Sequence, residues 1–174
     1  MINPDFEKLL GAVIPIAQHM LKDFGAFIPF GAFIARDGEV QLASGVGDPS
    51  HLETQEIVEM YLEAYREAAA DGNFTSTALC VDVRVHVPGK LEKTDAIEIM
   101  LERSGGEALN AFMPYEKHAK SRITYAPLFA TPADPGYSLR LRPRKNNDRL
   151  FDNRHDRLNA VELLQARRSS RKND

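Results

Sequence analysis

Tryptophan is absent from this chain of 174 residues, and cysteine occurs once, at position 80. A single thiol excludes an internal disulfide framework and any zinc site built from several cysteines. The five histidines, at 19, 51, 86, 118 and 155, show no ligand spacing, so neither a metal nor a cofactor is expected. Long apolar runs are also missing: the longest, around residues 24 to 35, is interrupted by Pro29 and falls short of a bilayer span. The N-terminus lacks the basic-then-apolar order of a signal peptide, and the expected location is cytoplasmic, away from the membrane. No P-loop, dinucleotide glycine fingerprint, nucleophile elbow, zincin helix or EF-hand loop is present, which favours a non-enzymatic role. What remains is 43% apolar and 27% charged, a balance that supports one ordinary packed core.

The net charge of -3 hides an asymmetry. Residues 1 to 136 carry 11 Lys/Arg against 20 Asp/Glu, a net of -9, whereas residues 137 to 174 carry 11 against 5, a net of +6. An acidic body with a basic tail points to an interaction arm.

Asn3 as a cap, Pro4 in the first turn and Phe6, Leu9, Leu10, Val13, Ile14, Ala17, Met20 and Leu21 at helical spacing predict a first helix ending at Gly25, kinked at Pro15. A hairpin is expected at about 30 to 44 across Asp37 and Gly38. A second helix, capped at Asp48 to Ser50 with Glu53 behind it, is expected to run to Gly72. From Thr77 to Pro88 the valines at 81, 83, 85 and 87 alternate with Cys80, Asp82, Arg84 and His86, which predicts a strand with one core face and one polar face. Strands at 95 to 103 and 107 to 114 should flank the Gly105-Gly106 turn, and Pro127 makes 123 to 130 an edge strand. The expected fold is α+β: a single antiparallel sheet of about five strands (hairpin, helix, then meander) against two long helices. It occupies residues 1–132, with a basic tail at 133–174 that is expected to be partly disordered or to hold one short helix, for which residues 157 to 168 have the pattern.

The hairpin from Phe33 through Asp37 and Gly38 to Leu42, followed by a capped helix, resembles the roadblock/dynein light chain arrangement and, more loosely, profilin-like folds. The resemblance is one of topology, spans residues 3 to 130 and departs in the longer, kinked first helix and the longer strand at 77 to 88. It implies a dimeric scaffold or adaptor. The chain also looks like small bacterial proteins that carry no assigned activity.

Three constellations are candidate sites. Asp82, Arg84 and His86 stand at period two, and a meander is expected to bring Glu98 and Glu102 beside them; a carboxylate near an imidazole suits acid–base work, with Arg84 holding an anion. The alternative reading of that row is a ladder of cross-strand ion pairs. Glu56, Glu59, Glu63 and Glu67 stack along one side of the second helix, as a solvated face or as a docking stripe for something basic. Arg140, Arg142, Arg144 and Lys145 open the tail, which is read as binding that stripe of its own or a neighbouring subunit, as binding nucleic acid or, given the abrupt change in composition, as a non-native extension. The leading expectation is a non-enzymatic interaction or scaffold module that forms a homodimer, with a protein partner. The runner-up is a small enzyme or ligand-binding protein that uses the strand row.

Overall fold

The computed structural model describes residues 3–43, 51–87, 89–119 and 122–135. Two helices and one antiparallel sheet make an α+β fold. Helix α1 spans Pro4–Phe24: Asn3 Oδ1 accepts from the Asp5 N–H, and Gly25 closes the helix in the left-handed conformation. The helix is continuous through Pro15.

Strands β1 (Phe30–Ala35) and β2 (Val40–Leu42) form the hairpin, with Gly38 at φ +85° and the Ala35 N–H bonded to the Glu39 carbonyl. Helix α2 is Thr54–Ala70. It starts later than the expected cap, because Glu53 flanks it and the Glu56 carboxylate turns back to accept the Glu53 N–H at 2.8 Å. Residues 44–50, which hold the expected cap, lie outside the described residues. No base stands in the last turn of α2. Arg36 supplies one from the hairpin, donating to the Gly72 and Asp71 carbonyls.

The long strands β3 (Phe74–His86), β4 (Lys93–Arg103) and β5 (Ala108–Lys117) then meander. The segment expected as one edge strand is two, β6 (Ile123–Tyr125) and β7 (Phe129–Pro132), both paired to β5. Pro127 stands between them, where its missing N–H disturbs no ladder. Among the described residues the sheet therefore has seven strands, in the order β2-β1-β3-β4-β5-β6 with β7 beside the other half of β5. The expected helix at 157 to 168 lies outside the described residues, with the rest of 136–174.

Helices sit on both faces of the sheet, and this corrects the expectation of one core face and one polar face. On one side α1 buries Phe6, Leu9, Val13, Ala17 and Leu21 against Phe30, Ala32, Ile34, Ala78, Cys80, Ile97, Ile99 and Leu101. On the other α2 buries Ile57, Val58, Tyr61 and Tyr65 against Phe74, Leu79 and Val81. Central β3 is thus enclosed twice, and Ser76 through Val81 are all buried. A register shift between Ile34 and Ala35 makes their partners Ser76 and Phe74, leaving Thr75 as the extra residue. That bulge swings Phe74 onto the α2 side, where its ring meets Tyr65 edge-on at 6.0 Å.

Candidate functional site

The outer half of β3 carries the polar row, on the α1 side of the sheet. Asp82 is half-buried and accepts a hydrogen bond of 2.6 Å from the Tyr115 hydroxyl, across the intervening strand β4. Burial pushes the Asp82 carboxyl above its ordinary 3.8, while the Tyr115 hydrogen bond and the Lys117 charge pull the other way. Tyr115 is 2% exposed and its hydroxyl is held strongly in the protonated form, by burial first and the Asp82 bond second. The Lys117 ammonium lies 5.5 Å from the centre of the Tyr115 ring.

Arg84 points to Asp95 at 3.3 Å, with 72% of its side chain exposed, and His86 is exposed opposite Lys93. Alternate residues of a strand stand about 6.6 Å apart, so Asp82 and His86 do not meet. Glu98 and Glu102 are not beside this row. They pair with Val81 and Thr77, which puts them on the α2 side; the carboxylate that joins Asp82 and Arg84 is Asp95. The physical reason is parity, since a register change of one residue moves a whole strand to the other face. Cys80 is fully buried, and burial, then the Asp82 and Glu98 charges, raise its thiol well above the ordinary range.

A cavity of about 190 Å³ lies at the end of β4, β5 and β6, between Lys90, Thr94, Pro114, Tyr115, Glu116 and Tyr125 among others, and Lys90 reaches Glu116 at 3.4 Å. None of Asp82, Arg84 and His86 lines this cavity.

The α2 side of the sheet carries a row that sequence reasoning missed. Val81, Glu98, Phe112 and Phe129 stand directly opposite one another across β3, β4, β5 and β7. Phe112 and Phe129 stack at 5.3 Å, both half-buried, and belong to neither core cluster. Met100 and Val83 border the row, at the margin of the α2 cluster. Glu98 forms no hydrogen bond or ion pair among the described residues, and burial alone raises its carboxyl above the ordinary 4.5. The double glycine marks the turn, but a two-residue hairpin across it would set Glu98 opposite Met113, so the sequence alone did not supply this pairing. A turn closed by the Arg103 N–H on the Glu107 carbonyl makes Glu98 the partner of Phe112 by counting back along both strands.

Of the acidic stripe, all four glutamates are exposed. Glu56 is engaged in the cap, Glu59 accepts from Gln55 at 3.1 Å and Glu63 holds Arg66 at 2.8 Å. Arg140, Arg142, Arg144 and Lys145 lie outside the described residues. No group of three or more His, Cys, Asp or Glu among the described residues is placed to hold a metal ion, and no described helix is long and apolar enough to cross a membrane.

The class that this architecture defines is an antiparallel-sheet α+β protein with one helix on each face. No family model, no curated protein and no solved structure matches the chain.

The two raised carboxyls set a pH dependence. Each binds its proton more readily in the folded than in the unfolded chain, so their contribution to stability is fully present below the ordinary carboxylate values of 3.8 and 4.5 and is lost as pH rises through the raised folded values. Urea midpoints of Asp82→Asn and of Asp82→Asn/Glu98→Gln, measured at steps from pH 4 to pH 7, are expected to flatten that fall in two stages. Curves parallel to the parent would refute the assignment.

Proposed function

We propose that this protein is a non-enzymatic interaction module whose contact surface is the α2-side face of β4, β5 and β7. One observation carries the reading. A stacked phenylalanine pair that belongs to neither core and a carboxylate without a partner among the described residues stand side by side in one cross-strand row, so the strip beyond the α2 core is apolar with a single negative charge beside it. Such a strip, apolar at its centre with a polar group to fix register, is what protein interfaces are built from. The exposed Arg84 and His86, and Asp82 turned onto Tyr115, support this reading over a reaction centre at the strand row.

The test is hydroxyl-radical labelling of Phe112, Phe129 and Met100 in the full-length protein and in Glu98→Lys, with folding checked by circular dichroism. Reversing that charge is expected to raise labelling of all three several-fold by weakening whatever covers them. Equal rates in the two proteins would sink the proposal.

Self-association is a second reading, favoured by the outer edges of β2, β6 and β7, which pair on one side only among the described residues. Those edges are three, three and four residues long, and β7 ends in Pro132, so they offer few hydrogen bonds to a second copy. Light scattering at tens of micromolar protein that gave a mass near 19.5 kDa would count against a homodimer.

A further inference from the structure

The proposal above leaves the occupant of the Glu98 face open, and three features of the chain itself narrow it. The first is position. Strand β7 contributes Phe129 to the row and ends at Pro132, so the described chain ends, at Pro135, three residues after the strand that borders this face. The second is reach. Only three inter-strand spacings of about 4.8 Å separate β7 from β3. An extended chain gains up to about 3.3–3.6 Å per residue, so a fraction of the segment between Pro135 and Arg157 spans the whole row.

The third is complementarity. At helical spacing Arg157, Val161, Leu164 and Arg168 fall on one side with Leu158, an apolar strip with arginine at both ends. The row on the sheet is the converse, apolar side chains around one carboxylate. A second copy fits less well, because placing this face on its own image sets Glu98 against Glu98 in a body that carries a net of -9 over residues 1 to 136. The stripe on α2 also fits less well, since Glu56, Glu59 and Glu63 already have partners and no apolar residue separates them from solvent.

We propose that the occupant of the Glu98 face is the chain's own segment 157–168, laid across Glu98, Phe112 and Phe129 beside the edge of the α2 core at Val81, with an arginine reaching the Glu98 carboxylate. The proposal rests on the interaction-module reading. It gives that module a built-in ligand, which an external partner of the same chemistry, a basic amphipathic helix, has to displace. When the segment comes from the same chain the protein is a monomer. When it crosses to a neighbour the same contact makes a homodimer.

Limited trypsin digestion of the full-length protein tests this, followed by mass spectrometry of cuts after Arg154, Arg157, Arg167 and Arg168. At roughly 50 mM salt these cuts are expected to be about tenfold slower than in a free peptide of residues 150–174, since cleavage of a site that opens and closes quickly tracks the open population. Glu98→Lys is expected to remove the protection, and so is Leu158→Asp/Val161→Asp, which leaves the described fold untouched and covers the case in which the first variant misfolds. Glutamine at positions 56, 59, 63 and 67 is expected to leave the rates unchanged. Wild-type cuts as fast as in the free peptide, or protection that neither variant lifts, would overturn the proposal. If labelling of Phe112 and Phe129 still depended on Glu98 under those conditions, the module would stand with another occupant; if it did not, both would fall.

Discussion

Truncating Phe6 to alanine is expected to lower the unfolding free energy by about 4 kcal/mol, the usual loss when a large buried aromatic leaves a cavity. Phe6 is fully buried in the first turn of α1. That turn is also tied down by polar contacts: Asp5 accepts from the Ser76 hydroxyl at 3.0 Å and lies 3.6 Å from Arg103, and Asn3 donates to Glu107 at 2.7 Å. With the end of the helix held in this way, the site cannot close around the missing ring. Phe112→Ala is the control, with an expected loss of about 1 kcal/mol for a half-buried ring that neither core cluster includes. Urea unfolding of both variants, read by circular dichroism, checks the pair. Similar losses would mean that Phe112 is a core residue, and the proposed contact surface would lose its main support.

The second large effect concerns Gly31, which stands opposite Leu79 beneath α2. A Cβ there would run into the hydroxyl of Tyr65 and the ring of Tyr61. The Tyr65 hydroxyl is also employed, bonding to the carbonyls of Ala78 at 3.0 Å and Ala32 at 3.3 Å. Gly31→Ala is therefore expected to cost about 3 kcal/mol, from overpacking and a displaced buried hydroxyl together. Removing the obstructing oxygen should relieve part of that cost, so in a Tyr65→Phe background the same substitution is expected to be milder by about 1–2 kcal/mol. Additive losses in the four-protein cycle would show that the helix moves away instead of resisting.

The elements themselves were legible. The cap at Asn3, the helical period up to Leu21 and the stop at Gly25 are local rules acting within a few residues, and α1 obeys them. The same holds for the turns at Gly38 and at Gly105-Gly106, all three glycines with positive φ. The candidate site was less legible, and the reason can be traced to one loop. Strand β3 pairs with β4 so that Asp82 faces Ile97 and Val81 faces Glu98. A connection one residue different in length would have set Glu98 beside Asp82, as the strand pattern alone suggested, and nothing in the composition of residues 87 to 92 announces that length.

Alternation in a strand tells which residues share a face, and the sequence by itself determined that much: Asp82, Arg84 and His86 together, with the valines opposite. It also determined that the body is acidic and the tail basic. Which faces meet is a non-local matter. Tyr115 under Asp82, and Phe112 stacked on Phe129 with Glu98 next in the row, join residues at least 14 positions apart in the chain, and the helices on both sides of the sheet likewise meet strands outside their own turn. Local propensity carries no information about such pairs. They are decided only when register, loop length and burial are satisfied together, and that happens in the tertiary structure.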